Sequence, residues 1–258
     1  MKAITWVAEP LLFENHAEVL RAALPDSDRL VLTDLDLDNV PLPKLDGTII
    51  VHGSLQLAKK VKSETQWNPG VICNLPNFLW LTYAHHFKEK LLNPNWEVTD
   101  TQSLIDIASQ DKLEPCFVRP NDGGKAFHGT PICGSRVLFL AIAKSFQRDA
   151  KGSVTAIVSP LQTILSEYRM VVINRKVVTG CRYILDDCLD MSPEYPKEAA
   201  DLAQWVADQD FQPDSAYVVD VAQTPTGYKV IELNAFSTAD WYACDVGKII
   251  TAIHEFLD

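Results

Sequence analysis

The chain has no excess of positive charge, no long apolar run and no cysteines at metal-binding spacing. Lys and Arg number 23 against 34 Asp and Glu, a formal net charge of −11. That balance argues against broad nucleic-acid or membrane-surface binding, while leaving room for a local basic pocket that takes phosphate. No apolar stretch approaches the length needed to cross a bilayer. The opening M-K-A-I-T-W-V-A-E-P has only a short apolar run before Glu9 and Pro10, which does not read as a secretory signal. The six cysteines (Cys73, Cys116, Cys133, Cys181, Cys188, Cys244) are scattered without a C-x-x-C, as expected of reduced core thiols in a cytoplasmic protein rather than zinc ligands. Internal repeats, low-complexity linkers, a G-x-G-x-x-G fingerprint and a nucleophile-elbow serine are also missing.

What is present is enough for a sizeable core: 47% hydrophobic and 22% charged residues over 258 positions. The first part alternates strand and helix signals. Ala3–Ala8, Leu30–Leu35, Thr48–His52 and Val71–Leu75 read as strands, with helices over Glu14–Leu24, Ser54–Lys62 (capped by Ser54) and Asn77–Lys90. This βαβ-like order predicts a mainly parallel sheet in residues 1–98. From residue 99 the pattern changes. Helices are expected at Thr101–Ser109, Val137–Arg148, Pro196–Asp208 and Ala243–Phe256, and strands at Cys116–Arg119, Val154–Val158, Ile164–Ile173 and Lys176–Ile184. Residues 99–258 therefore read as an α+β unit.

The most informative stretch is A-Y-V-V-D-V-A-Q-T-P-T-G-Y-K-V-I-E-L-N-A, residues 216–235. Two apolar strands flank Pro225-Thr226-Gly227, and a hairpin loop with Gly last pairs Thr224 with Tyr228 and sets Asp220 opposite Glu232. Alternation puts Asn234 on the face of Glu232. Two carboxylates and a carboxamide oxygen on one face form an oxygen set suited to a hard cation, most often Mg2+. The many β-branched neighbours imply a sheet covered on both faces, which disfavours the plainer reading of a polar face turned to water.

Two further constellations carry charge. If Asn174-Arg175 is a two-residue turn, Glu167 faces Arg182 and clusters with Arg169, either as a sheet-stabilising ion pair or as a clamp for phosphate or carboxylate oxygens. In F-V-R-P-N-D-G-G-K-A-F-H-G, residues 117–129, a strand ends in Arg119-Pro120 and Gly123-Gly124 precede Lys125. Glycines let backbone N–H groups approach a phosphate, and a lysine adds a mobile charge. This is not a Walker A loop, since Arg119 and Ala126 occupy positions that require Gly and Ser or Thr. Asp186, Asp187 and Asp190 read as a solvated loop, and Trp241-Tyr242 as core packing or pocket lining.

In this order the segments resemble the ATP-grasp superfamily, in which a phosphate-binding basic strand, a glycine lid and a late hairpin with acidic and Asn ligands follow one another. Asp220-Val221 and Ile231-Glu232-Leu233-Asn234 look like the late segment. Arg119, Lys125, Phe127 and Gly129 look like a divergent phage and bacterial clade with Arg in place of the usual strand lysine. The likeness covers roughly residues 115–250, and the preceding part is similar to the small domain that often precedes such a module. The fold class implied is an α/β N-terminal domain, residues 1–98, followed by an α+β ATP-grasp module, residues 99–258.

The resemblance also implies roles. Asp220, Glu232 and Asn234 would hold one or two Mg2+ ions. Arg119 and Lys125 would bind ATP phosphates beneath the Gly123-Gly124 lid, and Glu167 would join the nucleotide-binding residues. The Val158–Leu161 connection, including Ser159, would meet adenine. Arg169, Arg182 and Lys125 would act at the transferred phosphoryl group, with His128 and Asp240 as candidates for deprotonating an amine. The activity implied is an ATP-dependent carboxylate–amine ligase working through an acyl-phosphate on small molecules, amino acids or peptides. A small-molecule kinase on the same scaffold and a non-catalytic ATP-binding module stay open, as does homo-oligomer formation. No nucleic-acid or membrane partner is expected.

Overall fold

The computed structural model describes residues 2–10, 16–34, 36–109, 114–124, 126–133, 136–149 and 151–258. The elements begin with β1 (Ile4–Ala8), α1 (His16–Ala23), β2 (Arg29–Leu32), β3 (Thr48–His52), α2 (Leu55–Glu64) and β4 (Asn68–Gly70). A 3-10 turn at Leu75–Phe78 leads into α3 (Trp80–Phe87), β5 (Glu97–Asp100), α4 (Thr101–Ser109), β6 (Cys116–Pro120), β7 (Thr130–Ile132), α5 (Arg136–Asp149) and β8 (Thr155–Pro160). The chain finishes with β9 (Ser166–Ile173), β10 (Lys176–Leu185), β11 (Cys188–Ser192), α6 (Lys197–Asp208), β12 (Ala216–Thr224), β13 (Gly227–Ala235) and α7 (Val246–Leu257).

These elements form two compact units, one made of Met1–Asn74 with Ile164–Asp258, the other of Leu75–Thr163. The units do not follow the expected division at residue 98, because the first is closed by the end of the chain. It holds a parallel sheet of order β2-β1-β3-β4 and an antiparallel sheet of order β11-β10-β9-β12-β13. Strand alternation sorts the parallel sheet's residues. Ile4, Trp6, Ala8 and Ile50 enter one core with Val171, Cys181, Val218 and the α7 residues Ile249, Ile250 and Ile253. Val7, Ile49 and Val51 enter another with Leu57 and Val61 of α2. Both faces are thus covered, as a parallel sheet requires. Ser54 caps α2 by accepting a hydrogen bond from the Leu57 N–H at 3.0 Å.

The second unit is an antiparallel sheet of order β5-β8-β6-β7. Its core joins Val118 and Ala156 of the sheet to Leu104 of α4 and Phe139, Ala143 and Phe146 of α5, with Phe127 and Phe146 stacked at 4.1 Å. No helix among the described residues is long and apolar enough to cross a membrane.

Several expectations are corrected. The strand expected at Val71–Leu75 does not form: Ile72 spends its backbone N–H and C=O on Ser237, and Asn74 N–H on Asp214. The single helix expected over Asn77–Lys90 is interrupted by extended backbone at Leu79 and by Lys88, whose φ is 42°. The acidic loop is instead a hairpin. Asp186 and Asp187 take positive φ at its turn, and Asp190 lies in β11 and pairs with Arg182. The beginning of the helix expected at Glu14 lies outside the described residues.

Candidate active site

Asp220 and Glu232 are cross-strand partners, as the sequence suggests, but the route differs. The turn has two residues, Pro225 and Thr226, so Thr224 pairs with Gly227 and not with Tyr228. Gly227 takes φ 122°, a backbone that side chains rarely adopt. A bulge at Ile231 then restores the register, pairing Val221 with Val230 and Asp220 with Glu232. Asn234 donates from Nδ2 to Asp220 Oδ2 at 2.9 Å and to Glu232 Oε1 at 3.0 Å. The three side chains meet on one face. Asp220 is buried and the other two are half-buried. Among the described residues no group of three or more His, Cys, Asp or Glu side chains gathers as a metal cluster; the third member of this set is the Asn amide.

Arg169 of β9 lies opposite Asp220 and pairs with it through both carboxylate oxygens, Nε to Oδ1 at 2.9 Å and Nη2 to Oδ2 at 2.7 Å. Its Nη1 donates to the Asp240 carbonyl at 2.6 Å. The guanidinium lies 4.5 Å from the Tyr242 ring centre and 5.3 Å from that of Tyr183, and those two rings stack on each other. Burial opposes the charge of Arg169, but the facing Asp220 carboxylate outweighs it and holds the group firmly protonated. Tyr242 itself has φ 47°, held by its N–H donating to Asp240 Oδ1.

The expected Glu167–Arg169–Arg182 cluster does not assemble. The turn at Asn174-Arg175 is as expected, with Ile173 opposite Lys176, but bulges in β10 shift the register. Cys181 faces Arg169, and Arg182 faces Tyr168 on the other side of the sheet, where it pairs with Asp190 at 3.1 Å. Tyr183 takes the place beside Glu167 and donates its hydroxyl to Oε2. Burial raises the Glu167 carboxyl above its usual range; the Tyr183 hydrogen bond works the other way, and the nearby Asp220 and Glu232 push it further up. On the same face as Arg169 the thiols of Cys181 and Cys244 lie 3.3 Å apart. The segment after Asn234 is stitched to the parallel sheet by Gly53 N–H to the Ser237 carbonyl and by a His52 Nε2 contact with the Ala239 carbonyl at 2.9 Å. Trp241 is accordingly core, packed at 3.9 Å on the His52 ring.

In the second unit Arg119 stands on β6 with its guanidinium 4.3 Å from the Trp80 ring centre. Gly123 docks so closely that a Cβ there would lie 2.8 Å from the Phe78 Cβ, whereas a Cβ on Gly124 would meet only Asp122. Lys125 lies outside the described residues. Val158 and Ser159 are ladder residues of β8, paired with Val118 and Phe117 of β6, so the expected connection shrinks to the residues after Pro160. Leu161 is exposed there. Tyr183 and Trp80 carry no signal in the sequence because their partners are set by bulges in β10 and by contact between distant stretches of chain.

A model of the ATP-grasp domain, R2K clade family 3, matches residues 52–253, and the chain belongs to that family. The match begins well before residue 115 and takes in the end of the parallel sheet. No curated protein matches the chain. Among solved structures it is similar to a RimK-domain ATP-grasp protein of Sphaerobacter thermophilus DSM 20745, at 12% identity over 92% of each chain with a TM-score of 0.61. It is also similar to D-cycloserine synthetase DcsG, at 13% identity over 99% of this chain and 100% of that one, TM-score 0.60. A third is D-alanine–D-alanine ligase from Bacillus anthracis complexed with ATP, at 14% identity over 99% and 97%, TM-score 0.58. At these identities the likeness is one of fold.

Proposed function

We propose that the chain is an ATP- and Mg2+-dependent ligase that joins a carboxylate to an amine. The observation that carries this reading is the Asp220–Glu232–Asn234 face in a member of the ATP-grasp family. Ligases among the structural neighbours, acting by name on D-alanine or forming D-cycloserine, support the reaction class.

The side chains fit a divalent cation. The Asn234 amino group bridges two carboxylates, where only positive charge or N–H donors are tolerated, and rotation of the same amide would present its oxygen instead. Asp220, Glu232 and Asn234 would hold Mg2+, which supplies charge neutralisation for phosphate oxygens. Arg119, Lys125 and the Gly123-Gly124 backbone would bind phosphates, and Val158, Ser159 and Leu161 would line the adenine end. Arg169 would act from its fixed position, offering guanidinium N–H groups beyond the three already committed to Asp220 and Asp240. Arg182 lies on the other side of the sheet, paired with Asp190, and takes no part at this face. Glu167, held by Tyr183, would contact the nucleotide.

In the reaction, a substrate carboxylate oxygen attacks the γ-phosphorus while the bond to the β-phosphate oxygen breaks, releasing ADP. The amine nitrogen then adds to the acyl carbon and phosphate leaves, a better leaving group than oxide. The protein's share is alignment and fixed positive charge. Incubation with Mg-ATP and pooled amino acids or short peptides tests this. The expected result is ADP and phosphate released in step with a product one water lighter than two substrates, and a hydroxamate when hydroxylamine is added. A stable phosphoester product would assign the chain to a kinase instead.

A further inference from the structure

We infer that Trp80 is a positioning residue for Arg119, and that the first turn of α3 is the seat from which the phosphate-binding loop projects. The inference rests on the nucleotide reading of Arg119 above. Three contacts within the second unit point to it. The Arg119 guanidinium lies over the Trp80 face at 4.3 Å. The Asn121 side chain accepts a hydrogen bond from the Leu81 N–H at 2.9 Å. Gly123 meets Phe78 at a distance that leaves no room for a side chain. Arg119 near the end of β6, and Asn121 and Gly123 of the loop that follows, are thus pinned to Trp80, Leu81 and Phe78 in turn.

The Trp80 ring is itself fixed. Tyr83 and Trp96 pack edge-on against it at 5.4 and 6.1 Å, and it is 2% exposed. Its indole N–H has no hydrogen-bond partner among the described residues, so the residue's contribution is its face. Trp presents the most negative ring face to a cation, and a desolvated ring strengthens that attraction. A guanidinium laid over an aromatic face is fixed in place by the ring, while its donors, which lie in its own plane, are what a phosphate would meet. Because such a contact serves substrate and transition state alike, its loss raises KM for ATP and spares kcat.

The experiment replaces Trp80 site-specifically with progressively fluorinated tryptophans, which keep the ring's shape and drain its face. Affinity for Mg2+ with a non-hydrolysable ATP analogue is read by calorimetry, beside Tm. The expected result is a graded loss reaching roughly threefold to thirtyfold at unchanged Tm, with the grading abolished in an Arg119→Gln background. Constant affinity across the series, with the unmodified protein binding the analogue and Arg119→Gln weakening it, overturns the positioning role while leaving the nucleotide site standing. No binding by the unmodified protein overturns both. Trp80→Leu provides the kinetic arm: a fall in kcat at constant KM counts against the inference.

Discussion

Asp220, Glu232 and Asn234 stand on adjacent strands of a five-stranded sheet, held by ladder pairing and by a buried arginine. Arg119 and Gly123 stand at a strand end and in a loop, held by an aromatic face and by close docking on a helix start. Both regions are proposed for phosphate chemistry, yet they are built on opposite terms. The first is set by hydrogen bonds and charge between paired strands, where every member depends on its neighbours. The second is set by packing against a neighbouring element. A single substitution should therefore damage the first region collectively and the second only locally.

The largest effect expected is on turnover. Glu232→Gln removes a charge and keeps the shape, so Mg2+-dependent ADP production should fall by about a hundredfold or more at unchanged circular dichroism; near-normal turnover would remove Glu232 from the metal set. Next comes stability in the sheet region. Asp220→Ala leaves the Arg169 charge buried without its partner and should cost about 3–5 kcal/mol in urea unfolding. Arg119→Ala, by contrast, should cost about 1 kcal/mol, and equal losses at the two sites would erase the contrast.

Smaller still, Gly123→Ala should lower stability by about 1–3 kcal/mol through overpacking against Phe78. An unchanged melt would show that the loop is not seated. The subtlest concerns pH. Glu167 has a raised carboxyl in the folded chain, so its contribution favours the fold below the ordinary glutamate value of 4.5 and is lost as pH rises through the raised value. Glu167→Gln should therefore gain stability relative to the unmodified chain at neutral pH, with the gap closing below about pH 4.5; a gap independent of pH would contradict the shift.

The same contrast separates what the sequence makes legible from what it hides. Asp220, Glu232 and Asn234 were readable because strand alternation is a period-two rule that survives an error: the turn is one residue shorter than expected, and the bulge at Ile231 returns the lost step. The β10 bulges had no such compensation. They moved Arg182 to the opposite face and brought Tyr183 to Glu167, which no alternation pattern foretells. Thr48–His52 and the Ser54 cap were readable from local chemistry. The short strands β5, β7 and β11 were not, since edge strands of few residues with exposed side chains carry little hydrophobic signal. Trp80 falls within the helix expected over Asn77–Lys90 with nothing local to mark it, and its tie to Arg119 is a long-range contact.

The unit that carries the acidic face is assembled from both ends of the described chain, with Leu75–Thr163 between them. That arrangement has a consequence for biosynthesis. A ribosome completes the middle unit before β9 exists, while Trp6 of β1 and Ile50 of β3 wait for core partners that come later, from Val171 of β9 through Trp241 to Ile249 and Ile253 of α7. The early strands must therefore persist through most of translation with one apolar side unclothed, an interval in which a chaperone would find its binding surface.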